Sequence, residues 1–298
     1  MLTVAARDMP PPTHFTRYAC FDWSGQNVPR PPGLALAIAE QDGPPRLIDR
    51  RWSRADALAW LQDVVARGEP MLIGLDLSPG FPFADGAAYF PGWPDTPPHA
   101  KALWALVDRL SEADPYLAAT GFLAHPEVAR YFRQHGGRQG DRFGAAGRGR
   151  LRLCEQRQLG TLSPSSCFNL VGEAQVGKSS LTGMRVLHQL AGAIPVWPFD
   201  PLPPTGPMLV EIYTTIAART AGLGAGRSKL RDPADLDRAL ARLGSPPHEP
   251  LARFDDHATD ALLTAAWLRA DANRPDLWQP QGLTPAIAAT EGWTFGVP

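Results

Sequence analysis

Met71-Leu72-Ile73-Gly74-Leu75-Asp76 is apolar up to its last residue, where an aspartate stands. A short run of this kind, without polar alternation, predicts a central strand buried on both faces. Towards the N-terminus, Tyr18-Ala19-Cys20-Phe21-Asp22 has the same form, an apolar strand that ends in an acid. Residues 34–40 and, after a Gly-Pro-Pro turn, 47–52 read as two more strands. Turn residues at short spacing favour antiparallel pairing of these three. Ser53 stands where a helix N-cap belongs, and Ala57, Leu58, Leu61, Val64 and Val65 share one face of the helix that follows.

Beyond Asp76 the pattern breaks. Ser78-Pro79-Gly80-Phe81-Pro82 opens a segment rich in proline and aromatics, after which helices are expected at about 100–112 and 126–134. Sheet and helix patterns then resume: a helix over 181–190, strands at 194–197 and 208–213, a charged helix near 233–243, and a long helix over 256–270. The order β-β-β-α-β followed by further α and β units predicts an α/β fold. Its mixed sheet has three antiparallel strands, then parallel ones, with helices on its faces. Residues 1–16 read as a disordered lead-in, 17–298 as a single domain, and about 79–165 as a helical and loop insertion within it.

Hydrophobic residues make up 44% of the 298 and the formal net charge is −1, so the chain can build a sizeable core and is no polycation. No apolar run reaches the roughly 18 residues of a membrane span, and the N-terminus lacks a signal-peptide core. A cytoplasmic protein away from membranes is expected. Cys20, Cys154 and Cys167 lie far apart with no metal-ligand spacing, which argues against a zinc site or a disulfide framework. Charge is uneven: eight arginines between Arg130 and Arg157 face only Asp141 and Glu155, among six glycines that suggest a mobile loop.

Asp22, Asp76 and Glu211 each interrupt or end an apolar strand, where an acid is costly unless compensated. Asp256 and Asp260 are four apart near the start of the long helix and share a face, with His257 between them. Helix capping accounts for Asp255 and Asp256 but less well for the deeper Asp260. If the strands bearing Asp22 and Asp76 are neighbours, their carboxylates converge, and Mg2+ or Mn2+ would relieve the repulsion. Phosphoryl transfer is the chemistry such a site suits.

The chain also resembles a known group. FDWSG (21–25), LIGLDLSPG (72–80), VGKSSLTGMRVL (176–187), VEIYTTIAA (210–218), DDHATDALLTAAWL (255–268) and EGWTFGVP (291–298) together are similar to a family of uncharacterised bacterial and archaeal proteins, predicted nucleases with an RNase H-like fold. The resemblance implies a divalent-metal-dependent nuclease acting on DNA or RNA. Asp22, Asp76, Glu211 and Asp260 would be catalytic, and Asp256 and His257 would join them as metal ligands. Ser24, Lys178 and Arg185 are candidates for contact with substrate, and the arginine-rich loop for holding the strand. The family usually carries proline after its VEIY element, where this chain has Thr214.

Two other readings compete. Gly172-Glu173-Ala174-Gln175-Val176-Gly177-Lys178-Ser179 fits the phosphate-binding pattern GxxxxGK[ST], with a strand expected at 167–171 before it and a helix after. That would make an ATP-binding or phosphotransfer protein, although the motif comes late, after the principal buried strands. A binding protein that keeps the fold without turnover is the other reading. No GxSxG elbow surrounds Ser24 or Ser78, which argues against acyl transfer.

Overall fold

The structure, a computed structural model, describes residues 14–144, 149–172, 176–224 and 230–298. Strands β1 (Arg17–Asp22), β2 (Ala35–Glu40), β3 (Arg46–Leu47), β4 (Met71–Leu75), β5 (Val196–Trp197) and β6 (Met208–Glu211) form one six-stranded sheet in the order β3-β2-β1-β4-β6-β5. β1, β2 and β3 are antiparallel neighbours, while β1, β4, β6 and β5 run parallel. The mixed α/β sheet expected from the sequence is therefore present. β3 is shorter than the expected 47–52, because the chain leaves the sheet before Ser53 caps the next helix.

The helices are α1 (Arg54–Arg67), α2 (Ala100–Leu110), α3 (Thr120–Ala124), α4 (Pro126–Ala129), α5 (Leu153–Gln158) and α6 (Val176–Gln189), then α7 (Thr214–Thr220), α8 (Pro233–Arg242), α9 (Asp256–Asp271), α10 (Pro275–Trp278) and α11 (Pro285–Thr290). Between β4 and β5 the described residues hold helices and loops and no strand of the sheet. The helix expected over 126–134 is cut to α4: the chain turns at Arg130, and Arg133 instead bridges to Gln139 and Asn169. Nor is 167–171 a strand of the sheet; Asn169 makes a single bridge there. Residues 1–13 of the expected lead-in lie outside the described residues, whereas Phe15 is buried and stacks on Trp278.

Alternation along the strands sorts the core into two layers. Ala19, Phe21, Leu36, Ile38, Ile73 and Leu75 point to one face, where they meet α1, α2 and α6. Tyr18, Cys20, Ala35, Ala37, Ala39 and Leu72 point to the other, against α7, α8 and α9. The alanines on β2 leave room for α9 to lie close. Gly74 does the same on β4, since a Cβ there would sit 2.9 Å from Ile212 and 3.0 Å from Leu268. No helix among the described residues is long and apolar enough to cross a membrane.

Candidate active site

Because β1, β4 and β6 are parallel, their carboxyl ends lie at one edge of the sheet. From β1 the chain continues to β2 on one side and, after α1, to β4 on the other, so β1 and β4 flank the point where the strand order reverses. That is where open α/β sheets place ligands. Asp22 ends β1. Asp76 follows β4, and its backbone N–H donates to Phe21 O at 3.0 Å.

Alternation decides which acids meet. Asp22 shares its face with Cys20 and Tyr18, and Asp76 shares its face with Leu72; both look towards α9, which carries Asp260 and His257. Burial, followed by the charges of Asp22 and Asp260, holds the Asp76 carboxyl well above the usual carboxylate range. The buried Cys20 thiol is pushed up by burial and then by the charges of Asp22, Asp76 and Asp260, so the fields of all three reach the same end of β1. The backbone N–H of Thr214 donates to Asp76 and partly offsets the repulsion. A proline there has no N–H to give, so the departure at Thr214 supplies a contact.

His257 Nδ1 lies 2.9 Å from Asp22 Oδ2. An ionised Asp22 only accepts, so the proton sits on Nδ1 and Nε2 is left for the cavity that the ring lines. The Asp22 hydrogen bond raises the imidazole above its ordinary 6.5 against the opposing effect of burial. Burial likewise raises the Asp22 carboxyl, although His257 pulls it down. Gly33 backs the ring: a Cβ at Gly33 would stand 2.8 Å from His257 Cε1.

Glu211 points to the other face of the sheet, yet its charge still adds to the rise at Asp76, and the two side chains line one cavity. Leu209, two residues earlier, belongs to the opposite face, and Glu211 follows it there in register with Leu75. Its carboxylate is clasped by Arg152, with Nη1 to Oε2 at 2.7 Å and Nη2 to Oε1. The Thr294 hydroxyl donates to Oε1 at 2.7 Å. Arg152 is 1% exposed and also donates to Glu155, to Ser78 Oγ and to Glu291 O. Burial opposes its charge, but Cys154, Glu211 and Glu155 outweigh that and keep the guanidinium protonated. Asp256 stands 3.6 Å from Arg231, at the outer end of the helix.

These partners were missed in the sequence, as was Glu291, whose carboxylate accepts the N–H groups of Phe83, Ala84 and Leu153. A buried arginine in a glycine-rich, arginine-rich stretch looks like its exposed neighbours, so no local signal marked Arg152. Three of those neighbours are tied down as well: Arg130 to Asp141, Arg142 to Tyr131 and Pro91, and Arg150 to Asp85. Arg148 lies outside the described residues. Arg185 is likewise turned away from the site, to Asp108 and to Ala118 O.

A cavity of about 390 Å³ opens at this edge, lined among others by Ser24, Asp76, Lys178, Glu211 and His257. Arg54 holds the Ser24 loop through bonds to Ser24 O and Gln26 O. Gly25 packs directly on the first turn of α6: a Cβ there would be 2.3 Å from the Lys178 carbonyl carbon. That contact puts Lys178 at the cavity, with its ammonium lowered by burial. In the phosphate-loop reading, residues 173–175 lie outside the described residues and the strand expected before them is absent.

No group of three or more His, Cys, Asp or Glu side chains among the described residues is drawn together closely enough to hold a metal ion. The donor chemistry of Asp22, Asp76 and Asp260 still fits a hard divalent cation: three mutually repelling carboxylates, one of them held strongly towards its neutral form. Glu211, with both oxygens on Arg152, fits a supporting place better than a ligand's. No family model, curated protein or solved structure matches the chain.

Proposed function

We propose that the chain is a divalent-metal-dependent nuclease of the RNase H-like fold, a hydrolase of phosphodiester bonds in nucleic acid, and a relative of the predicted nucleases it resembles. The observation that carries this reading is the convergence of Asp22, Asp76 and Asp260 at the carboxyl ends of β1 and β4, with repulsion enough to hold Asp76 well above the ordinary carboxylate range. An antiparallel β1-β2-β3 meander continued by parallel β4 and β6 is the sheet this fold implies, with β5 as an added edge.

Mg2+ or Mn2+, when bound, supplies an activated water at neutral pH and offsets charge on the phosphoryl oxygens. Asp76 and Asp260 would hold the ion, with Asp22 shared between it and His257. His257, oriented through Nδ1, presents Nε2 to the cavity and can carry a proton to or from a reacting oxygen there. Lys178 at the same cavity is placed to meet a substrate phosphate. Arg152 keeps Glu211 fixed as part of the wall and out of the ligand set.

The test is thermal unfolding with and without millimolar Mn2+ for wild type, Asp76→Asn and Glu211→Gln. A ligand that binds the folded state adds about 2.7 kcal/mol at a hundredfold excess over its Kd. Wild type is expected to gain this and Asp76→Asn to lose it, while Glu211→Gln, destabilised in itself, keeps a gain. No gain in wild type would overturn the reading. If the gain appears, cleavage of single-stranded and structured DNA and RNA follows.

A further inference from the structure

Gln158, the last residue of α5, lines the cavity and is 4% exposed. Its amide orientation is set by Nε2, which donates to Cys154 O at 3.2 Å. Oε1 is buried and meets no hydrogen-bond donor among the described residues. An orphaned buried acceptor costs on the order of 1–3 kcal/mol, and a ligand N–H removes that cost. Lys178, on the first turn of α6, lines the same cavity and has no ion-pair partner among the described residues. Trp23 and Tyr213 add aromatic surface. One cavity thus combines a cation and a buried acceptor, neither answered among the described residues, with aromatic faces, a set that matches a phosphate joined to a base. Its volume, about 390 Å³, falls at the low end of the roughly 300–1,000 Å³ of small-ligand sites.

We infer that the cavity is a single-nucleotide pocket: it takes one unpaired nucleotide unit, whose phosphate meets Lys178 and whose base edge donates an N–H to Gln158 Oε1 as the amide at the cavity wall turns towards the ligand. The inference rests on the nuclease reading for the kind of polymer, and it specifies a nucleotide held out of a base stack. An enzyme that reads a base in a closed pocket acts on single strands, ends or flipped nucleotides.

The experiment is calorimetric binding of UMP, AMP and ribose 5-phosphate in EDTA to wild type, Gln158→Leu and Lys178→Ala. Wild type is expected to bind the two nucleotides about tenfold more tightly than ribose 5-phosphate, the scale of one buried hydrogen bond. Gln158→Leu should remove that preference and leave ribose 5-phosphate affinity unchanged, and Lys178→Ala should weaken all three ligands by a similar factor. Gln158→Met, unbranched, replaces the leucine variant if that one unfolds. Equal affinities for nucleotide and ribose 5-phosphate, or an unchanged preference at position 158, would overturn the inference, as would no binding at all. Nucleotide binding of this pattern without Mn2+ stabilisation would sink the metal-dependent reading and leave the pocket standing. Mn2+ stabilisation without a base preference would do the reverse.

Discussion

Arg152→Met takes a guanidinium out of the interior and leaves two carboxylates behind. Its donors are fully committed: Nε to Glu155 at 2.8 Å, Nη1 to Glu211 at 2.7 Å and Glu291 O at 3.0 Å, Nη2 to Ser78 at 3.0 Å and to Glu211. Glu211 and Glu155 are each 4% exposed, so neither can turn to water when the arginine goes. Glu211 would keep the Thr294 hydroxyl, and Glu155 the Arg152 backbone N–H and the Cys167 thiol contact. Removing one partner of a buried ion pair costs about 3–5 kcal/mol. At roughly 2–4 °C per kcal/mol, Tm should fall by roughly 6–20 °C. The measurement is urea and thermal unfolding of Arg152→Met, Glu211→Gln and the double variant, closed as a cycle. The double variant should recover part of the loss, with a coupling above about 1 kcal/mol. A single-variant loss below about 1 kcal/mol, or no coupling, would refute the clasp and make Glu211 a candidate ligand again.

Gly33→Ala places a methyl group 2.8 Å from His257 Cε1, so the ring must move off Asp22; an NMR titration should show the His257 pKa falling towards 6.5. Asp76 has a folded pKa above its ordinary 3.8, so the folded state binds the proton more tightly and stability falls as pH rises from 3.8 through the folded value. His257, raised above 6.5, has the same sign: its contribution is present below 6.5 and fades as pH passes its folded value. The gain in Tm from Mn2+ should therefore grow between pH 5.5 and 8, as protons stop competing for the carboxylates; a gain independent of pH would count against binding there. Ser53→Ala removes the cap on Asp56 N–H and its share of the capping box, and should cost about 1 kcal/mol in urea unfolding.

The central strands were legible because a double-sided core demands unbroken apolar runs, and the runs at 18–22 and 71–76 are too short for a helix of that hydrophobicity to bury. Ser53 was legible because its signal is local. The acids were legible as anomalies: a carboxylate at the end of a buried strand needs a reason. Which acids share a face was not legible, since that depends on register. Leu75 pairs with Glu211, and this one alignment puts Glu211 on Leu75's face of the sheet, where Arg152 holds it, while its charge still reaches Asp76. Arg152 was hidden for a different cause: two of its partners, Glu211 and Glu291, lie 59 and 139 residues away, beyond any local window. The phosphate-loop motif shows the opposite case: its letters are complete, while residues 167–171 before it form no strand of the sheet.

The contacts that build the cavity span the length of the chain. Asp22 meets His257 across 235 residues, Arg152 meets Glu291 across 139, and Glu211 meets Thr294 across 83. A nascent chain still lacking residues 291–297 therefore has no finished wall, and its Glu211 and Glu155 lack part of the network that holds them. Contacts so distant in sequence form late in folding, after local helices and hairpins. The wall is thus completed only by global folding, after synthesis has passed α11, and a ribosome-bound fragment ending at α9 would hold Asp22, Asp76, Glu211 and Asp260 and still lack Glu291 and the Thr294 side of the cavity.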